Sequence, residues 1–599
     1  MTEPGAGSDS RRPRIASLWE QHRARWTLPL VIIVIIGLVA VVDHLGSHRI
    51  SQVDQLSTSQ LVNATGGAAT VELDQPWSGF NPNPPAGAAS STPTLLSSVL
   101  PSAYVVNSKL VPEVNSDLLL SVEATSTDPL TIQYVINPKA VWSDGVPVSA
   151  DDFISAWHSQ QGDGVDIDGQ PDQVASTLGY QDIASITPSH AGKTVTVVFS
   201  RPYTDWRDLF DHMVPAHIAR RVGWNQGFAT FNAADDLSAG PYLLRSVTDG
   251  RAVLVRNPRW WGTPAVLDRV DVDVAPDPQA WTTALAQNNQ TVVQPERFDM
   301  NALNAVTSLP NTQSELKPSP VFYDLEFNVT AAPTNRAAIR QAVAHTIDRT
   351  QLLDRIFGAI DPDLVVDQDH LATPDETAYS ASSAAGEYTT PDPDSADSLL
   401  RSEGYHKDSG GQYVDATGKP LSLRMAVETG DPWIESVATQ ITAQLRDAGI
   451  TVVAVPVAGT SGLTQEVVTG TYNMALVTRT AGPYQTETTG WYSTTVGGTG
   501  SADQQDWSQF EDPDVDQLYN QASRALDPVV GQAIYNQIDD QLWDQMVALP
   551  LFDEPGLMAN GVQITGMAYN PSPDGILWNV ALWNLLKPGP TTKGQTAGN

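Results

Sequence analysis

The 599-residue chain contains no cysteine, which removes structural disulfides, thiolate metal sites and a lipid-modified N-terminal cysteine together. Basic residues are scarce as well: 33 Lys and Arg stand against 68 Asp and Glu, a net charge of −35. Such a surface repels phosphate backbones and anionic headgroups, which argues against nucleic-acid binding, and the acidic excess reads first as solubility. Catalytic signatures are missing too. There is no G-x-S-x-G elbow, no H-E-x-x-H and no complete Walker A; Ala191-Gly192-Lys193-Thr194 has the ending, but Thr187 stands where the leading Gly belongs, so the segment reads as a turn entering a strand. His212 and His217 are spaced i, i+5 around Pro215, which does not put both rings on one helical face. The acidic loop Asp163, Asp166, Asp168, Gly169, Asp172 lacks the regular spacing and the terminal bidentate Glu of a calcium loop. No catalytic residue, metal or cofactor is expected.

Long apolar runs are equally rare. The single one, Thr27 to Val42, has sixteen uncharged residues, just below the ~17 to 25 that span a bilayer, with Trp26 at its edge. Arg11, Arg12, Arg14, Arg23 and Arg25 precede it against three acids, so the positive-inside rule keeps residues 1–26 cytoplasmic and sends the bulk outside. An uncleaved anchor is expected over a signal peptide, because the charged region is long and no small-x-small site follows Val42. Five of the basic and three of the acidic residues lie in the first 42, leaving 28 against 65 outside. Residues 43–67 read as a polar stalk, with the folded part starting near 68.

What is present is a chain too long for one core, since cores stop growing near ~250 to 300 residues. Leu130 to Ile136 alternates apolar and polar residues and meets Asn137-Pro138, a strand closed by a turn. Asp151 to Ser159 reads as a helix capped by Ser149 and Val195 to Phe199 as a second strand, together an α/β unit. Ile339, Val343, Ile347, Leu352 and Ile356 form one apolar stripe of a helix spanning 335–357. A helix from Asp431, with Pro432 at its first position, to Ala448 is flanked by strands 421–427 and 450–457, a βαβ unit. Another helix covers 531–546. The acidic, Pro-rich segment 361–397 reads as an external excursion. No fixed-period repeat is visible.

Four motifs follow in order. Val141-Trp142-Ser143-Asp144-Gly145-Val146-Pro147-Val148-Ser149-Ala150-Asp151-Asp152-Phe153 is a strand end, a tight turn and a capped helix start. Gly240-Pro241-Tyr242-Leu243-Leu244 with Arg256-Asn257-Pro258-Arg259-Trp260-Trp261-Gly262 is a hairpin ending in aromatics. Asn335 to Arg349 and Pro391 to Tyr405 are helical. In this order the residues resemble the extracellular solute-binding protein family 5, the peptide, dipeptide and nickel binders of ABC importers, over about 68 to 585. The resemblance implies an α/β, two-lobed periplasmic-binding-protein type II-like fold of three domains behind one N-terminal transmembrane helix. It assigns 68–104, 237–320 and 550–585 to domain I, 105–236 to domain II, 321–549 to domain III, and 586–599 to a flexible tail. It implies a monomeric, non-enzymatic protein of the cell envelope that closes on a peptide or other small oligomeric solute and hands it to permease and ATPase subunits.

In peptide binders of this family, the stretch after the domain III strand carries a W-x-x-D-x-x-x-P type pattern whose carboxylate holds the peptide's ammonium end. Here the stretch is Val477-Thr478-Arg479-Thr480-Ala481-Gly482-Pro483-Tyr484-Gln485-Thr486-Glu487. Arg479 suggests an anionic solute group, the alternative being an ion pair with one of the many carboxylates. Further candidate ligand contacts are Tyr323, Asn328, Glu428, Trp433, Tyr484, Trp491 and Tyr492, each weighed against plain packing. The altered stretch and the integral anchor also allow an envelope regulatory or interaction protein without import cargo. An envelope hydrolase would rest only on scattered His, Ser and Asp residues.

Overall fold

In a computed structural model, residues 61–64, 66–493 and 506–588 are described. Two long strands organise them. Thr312–Phe327 and Ala548–Gly561 lie antiparallel in the middle of a ten-stranded mixed sheet. On one side follow Met474–Thr480, Ser422–Glu428 and Thr451–Val457; on the other, Thr291–Val293, Ala68–Leu73, Arg269–Val274, Arg251–Arg256 and Tyr242–Thr248. The two central strands therefore pass from one lobe into the other. Their register breaks between Pro318 and Phe322, opposite Pro555 and Asp553, where proline removes ladder donors.

A second sheet of four antiparallel strands, Leu119–Thr127, Leu130–Ile136, Thr194–Phe199 and Ile183–Ser189, belongs to the first lobe. Alternation decides its inner face: Leu130, Ile132, Tyr134 and Ile136 are buried, and Tyr134 packs edge-on against Phe210. The motif around Trp142 is scaffold. Gly145, at φ +98°, lets the turn close between the Trp142 N–H···O=C Val146 and Gly145 N–H···O=C Trp142 bonds. Ser149 and Asp152 form a reciprocal capping box on Ala150–Gln160, and buried Asp152 also accepts from the Ala216 N–H at 3.0 Å. Lys193 donates to the carbonyls of Asn137, Ala140 and Val148 at 3.3, 3.0 and 2.7 Å, so the truncated Walker sequence ties this turn down. In the hairpin motif, a Cβ on Gly240 would stand 2.1 Å from the Ser98 carbonyl oxygen, and the Asn257 amide donates to Gly240 O at 2.9 Å.

The βαβ unit is as expected: Ser422–Glu428 and Thr451–Val457 pair in parallel around Pro432–Ala448. The helix expected over 335–357 is two, Ala337–Thr346 and Arg349–Ile356, because Ile347 turns extended and the Asp348 carboxylate caps the second through the Gln351 N–H at 2.8 Å. Its stripe is still core, with Ile339, Val343, Ile347 and Leu352 at 0% exposure. The segment 361–397 is no external excursion. Val366 bridges Phe552, Asp367 N–H donates to Leu551 O, and His370, fully buried, meets Asp539 at 2.7 Å; backbone pairing and a buried polar pair do what apolar residues usually do. The end of the expected stalk, Leu61–Ala64, pairs antiparallel with Asn584–Pro588, which runs from the end of the expected domain I into the first residues of the expected tail. Among the described residues no helix is long and apolar enough to cross a membrane; the anchor expected at 27–42 lies outside them.

Candidate functional site

The candidate residues fall into three places. The first is the break in the crossing strands. Arg297, from the loop after Thr291–Val293, donates from Nε and Nη2 to the two oxygens of Glu554 at 2.8 and 2.9 Å, and reaches Asp431 Oδ2 and Thr478 Oγ1 at 3.3 Å each. One fork thus joins the first lobe, a crossing strand and the cap of Pro432–Ala448. Burial opposes the Arg297 charge, but Glu554 outweighs it and holds the guanidinium protonated. Tyr323 donates to Glu554 Oε2 at 3.3 Å. Trp433 donates to the Phe298 carbonyl at 3.2 Å and packs on Phe357 at 4.9 Å. Half-buried Glu428 lies near Asp431 and Arg297, its pKa raised by burial first and by Asp431 second. A cavity of about 350 Å³ opens beside this fork, with Asp74, Glu296, Arg297, Val321 and Thr480 in its wall.

The second place is inside the other lobe. Arg479 has 0% side-chain exposure and pairs with Glu326 and Asp324, which are equally buried. Its guanidinium lies 4.7 Å from the Trp491 ring and 5.2 Å from that of Tyr492. Tyr492 donates to Asp324 Oδ2 at 3.2 Å. Two carboxylates thus meet one guanidinium in a fully buried interior. Burial pushes Glu326 up to about 8 against the pull of Arg479. The Arg479 charge is already neutralised here and reaches no solvent-facing surface. Asn328 is a turn organiser: its side-chain oxygen accepts from the Thr330 and Ala331 N–H groups, and its amide donates to Tyr472 O.

The third place is where the lobes meet. Thr204 donates from N–H to Ser523 O and from Oγ1 to Ala525 O, both at 2.8 Å. Asp205 accepts from the Thr486 N–H and hydroxyl at 3.1 and 2.8 Å, and Tyr203 meets the same hydroxyl at 3.2 Å. Further acids gather near this seam. Asp208 and Asp211 come from the first lobe, Glu487 and Tyr484 from the second. A Cβ on Gly482 would stand 2.0 Å from Glu487 Oε2, so the Glu487 carboxylate folds back over the glycine. Glu487 and Asp211 stay accessible to water although protein surrounds them. Burial, then Asp211 and Asp205, pushes Asp208 up to about 7. Burial, then Asp208 and Asp205, raises Glu487 well above the carboxylate range. Asp211 moves the other way: burial works against it, but His212 at 2.7 Å holds it ionised. His212 itself bridges Asp211 and Asp574, and although burial would lower its pKa these acids push it well above 6.5.

Of the expected contacts, the structure brings Tyr323, Glu428 and Trp433 together at the strand break, and Arg479, Trp491 and Tyr492 together in a buried cluster. Tyr484 is buried near the acids of the seam. Arg297, Asp205, Asp208, Asp211 and Glu487 were not legible as site residues. The density of acids in Asp205-Trp206-Arg207-Asp208-Leu209-Phe210-Asp211-His212 was the available signal. His217 pairs with Asp144 at 2.9 Å, and Asp166 accepts from the Trp224 and Asn225 N–H groups. Among the described residues no group of three His, Asp or Glu side chains is arranged to hold a metal ion.

Residues 113–501 match the family model described as bacterial extracellular solute-binding proteins, family 5 Middle. The chain is 25% identical over 488 residues to the oligopeptide-binding protein OppA of Mycobacterium tuberculosis, covering 78% of this chain and 76% of that one. It is 25% identical over 592 residues to an uncharacterized lipoprotein of the same organism, 90% of this chain and 98% of the other. Among solved structures it is similar to the periplasmic EDTA-binding protein EppA, with a TM-score of 0.78 and 25% identity over 89% of this chain and 99% of that one. With a two-lobed sheet crossed by two strands and a family match that covers most of its length, the chain belongs to the bacterial extracellular solute-binding proteins of family 5.

Proposed function

We propose that the protein is the extracytoplasmic receptor of an ABC importer, tethered by residues 27–42, that takes a peptide or peptide-like solute between its lobes by hinge closure. The observation that carries this reading is the paired register break at Pro318–Phe322 and Asp553–Pro555 in the two strands that cross between the lobes. On this reading 68–104, 237–320 and 550–585 form domain I, 105–236 domain II and 321–549 domain III. Closure is favoured because a solute touching both lobes binds the closed form more tightly than the open one. The peptide class is supported by the similarity to OppA. A polyanion such as the ligand named for EppA suits the acid-rich seam between the lobes poorly. No covalent step belongs to this function. The protein would deliver its cargo to permease and ATPase subunits.

Native mass spectrometry of the purified protein, with thermal shift across a peptide library and small-angle scattering, tests the reading. A copurified peptide, or peptide-dependent stabilisation with a smaller radius of gyration, is expected; saturation at 100 times Kd stabilises by about 2.7 kcal/mol. No copurified solute, no stabilisation by any peptide and an unchanged radius would overturn it.

A further inference from the structure

We infer that Arg297 is the clasp of the closed form: anchored on a crossing strand, it reaches Asp431 and Thr478 of the second lobe and sets how often the lobes shut before any solute arrives. This rests on the hinge-closure reading and adds the positioning residue that governs it. The four bonds of the guanidinium fall into two kinds. Nε and Nη2 donate to the two oxygens of Glu554 at 2.8 and 2.9 Å, and the Glu554 side chain is only 1% exposed. Glu554 also accepts from the Phe298 N–H at 3.2 Å and the Tyr323 hydroxyl at 3.3 Å. Both its oxygens are committed, so the fork is fixed to the strand inside its register break. The bonds into the second lobe are longer, 3.3 Å from Nη1 to Thr478 Oγ1 and 3.3 Å from Nη2 to Asp431 Oδ2. Water reaches this side, where the Arg297 and Asp431 side chains are 37% and 22% exposed. On opening, these two bonds exchange for water at small cost while the Glu554 fork stays made.

Asp431 divides its oxygens between two tasks. Oδ1 caps Pro432–Ala448, accepting from the Trp433 and Ile434 N–H groups at 2.8 and 3.2 Å, which leaves Oδ2 for Arg297. Beside it, Trp433 Nε1 donates to the Phe298 carbonyl at 3.2 Å, and the two rings lie 5.7 Å apart. Arg297 and Phe298, neighbours in the first lobe, thus both grip the start of one helix of the second. A solute that binds the closed form has an apparent affinity scaled by the fraction already closed. The clasp therefore sets affinity without having to touch the solute.

Double electron–electron resonance on the full-length protein in detergent, with no solute added, tests the clasp. The cysteine-free chain takes nitroxides at two exposed positions, A184C on the first lobe and V529C on the second. Arg297→Ala would strand the buried Glu554, so D431N and T478V carry the test instead. Asparagine caps a helix as well as aspartate does, and valine keeps the outline of threonine; both leave the Arg297–Glu554 fork in place. A short-distance population is expected to dominate before these substitutions. Each should lower the ratio of short to long distances roughly two- to five-fold, and the two together should lower it further. A direct solute contact by Arg297 would leave these solute-free distances unmoved. An equal or higher ratio in D431N, T478V and the double variant, with both populations present, would overturn the clasp and leave hinge closure standing. One unchanging distance in all of these proteins would overturn the clasp and hinge closure together.

Discussion

At the scale of single residues, charges of this protein differ in whether the fold supplies their partner. Arg479 has Glu326 and Asp324, and removing it strands two buried carboxylates. Arg479→Ala should therefore cost about 3 to 5 kcal/mol, read as a lower melting temperature and urea midpoint. A direct solute contact would instead lose affinity at an unchanged midpoint. Arg479→Lys should recover only part of the loss, since an ammonium cannot stack its plane on Trp491 and Tyr492. Asp152 is the opposite case, a buried acid whose partners are N–H groups. It serves the Ser149 and Ala216 amides, and Asp152→Ala should cost about 2 kcal/mol or more, visible as a drop in melting temperature that Asp152→Asn partly recovers.

At the scale of elements, much of the fold was written locally. Five helices start at an Asp-Pro pair, at Asp277, Asp392, Asp431, Asp512 and Asp527, each with the carboxylate accepting from the first turn and proline supplying a preset φ. These starts need only neighbours in sequence, which is why 431–448 and 391–405 were readable. The division of 335–357 was not, because an alternative cap at Asp348 lay inside one continuous apolar stripe. The burial of 361–397 was also hidden, because its partners, Leu551 and Asp539, are far along the chain. Two glycines separate the kinds of close approach. Gly240→Ala meets backbone at Ser98 and should destabilise by about 1 to 3 kcal/mol or more, lowering the melting temperature. Gly482→Ala meets the flexible end of Glu487; it should leave the melting temperature in a thermal scan near wild type.

At the scale of the whole molecule, the many carboxylates make stability depend on pH. Burial, the leading cause in each case, pushes Glu72, Asp208, Asp236 and Glu376 up to about 7. Their unfolded values lie near ~4, so between about 4 and 7 the folded state holds more protons, and stability falls as pH rises through that window. His212, held well above 6.5, adds the same sign: its contribution is complete below its unfolded pKa and is lost at higher pH. His345, lowered by burial, works the other way. Without ligand and at low salt, the melting temperature should be higher at about pH 5.5 than at about pH 7.5; a flat or rising profile in a thermal scan would contradict the burial of these acids. The sequence by itself determined the helix caps, the alternating strand, the apolar stripes and the motifs that hold turns, because each depends on residues a few positions apart. Tertiary structure alone decided which charges are matched. The seam between Asp205 and Thr486 joins residues 281 positions apart, and only folding tells that Arg479 is enclosed by Glu326 and Asp324.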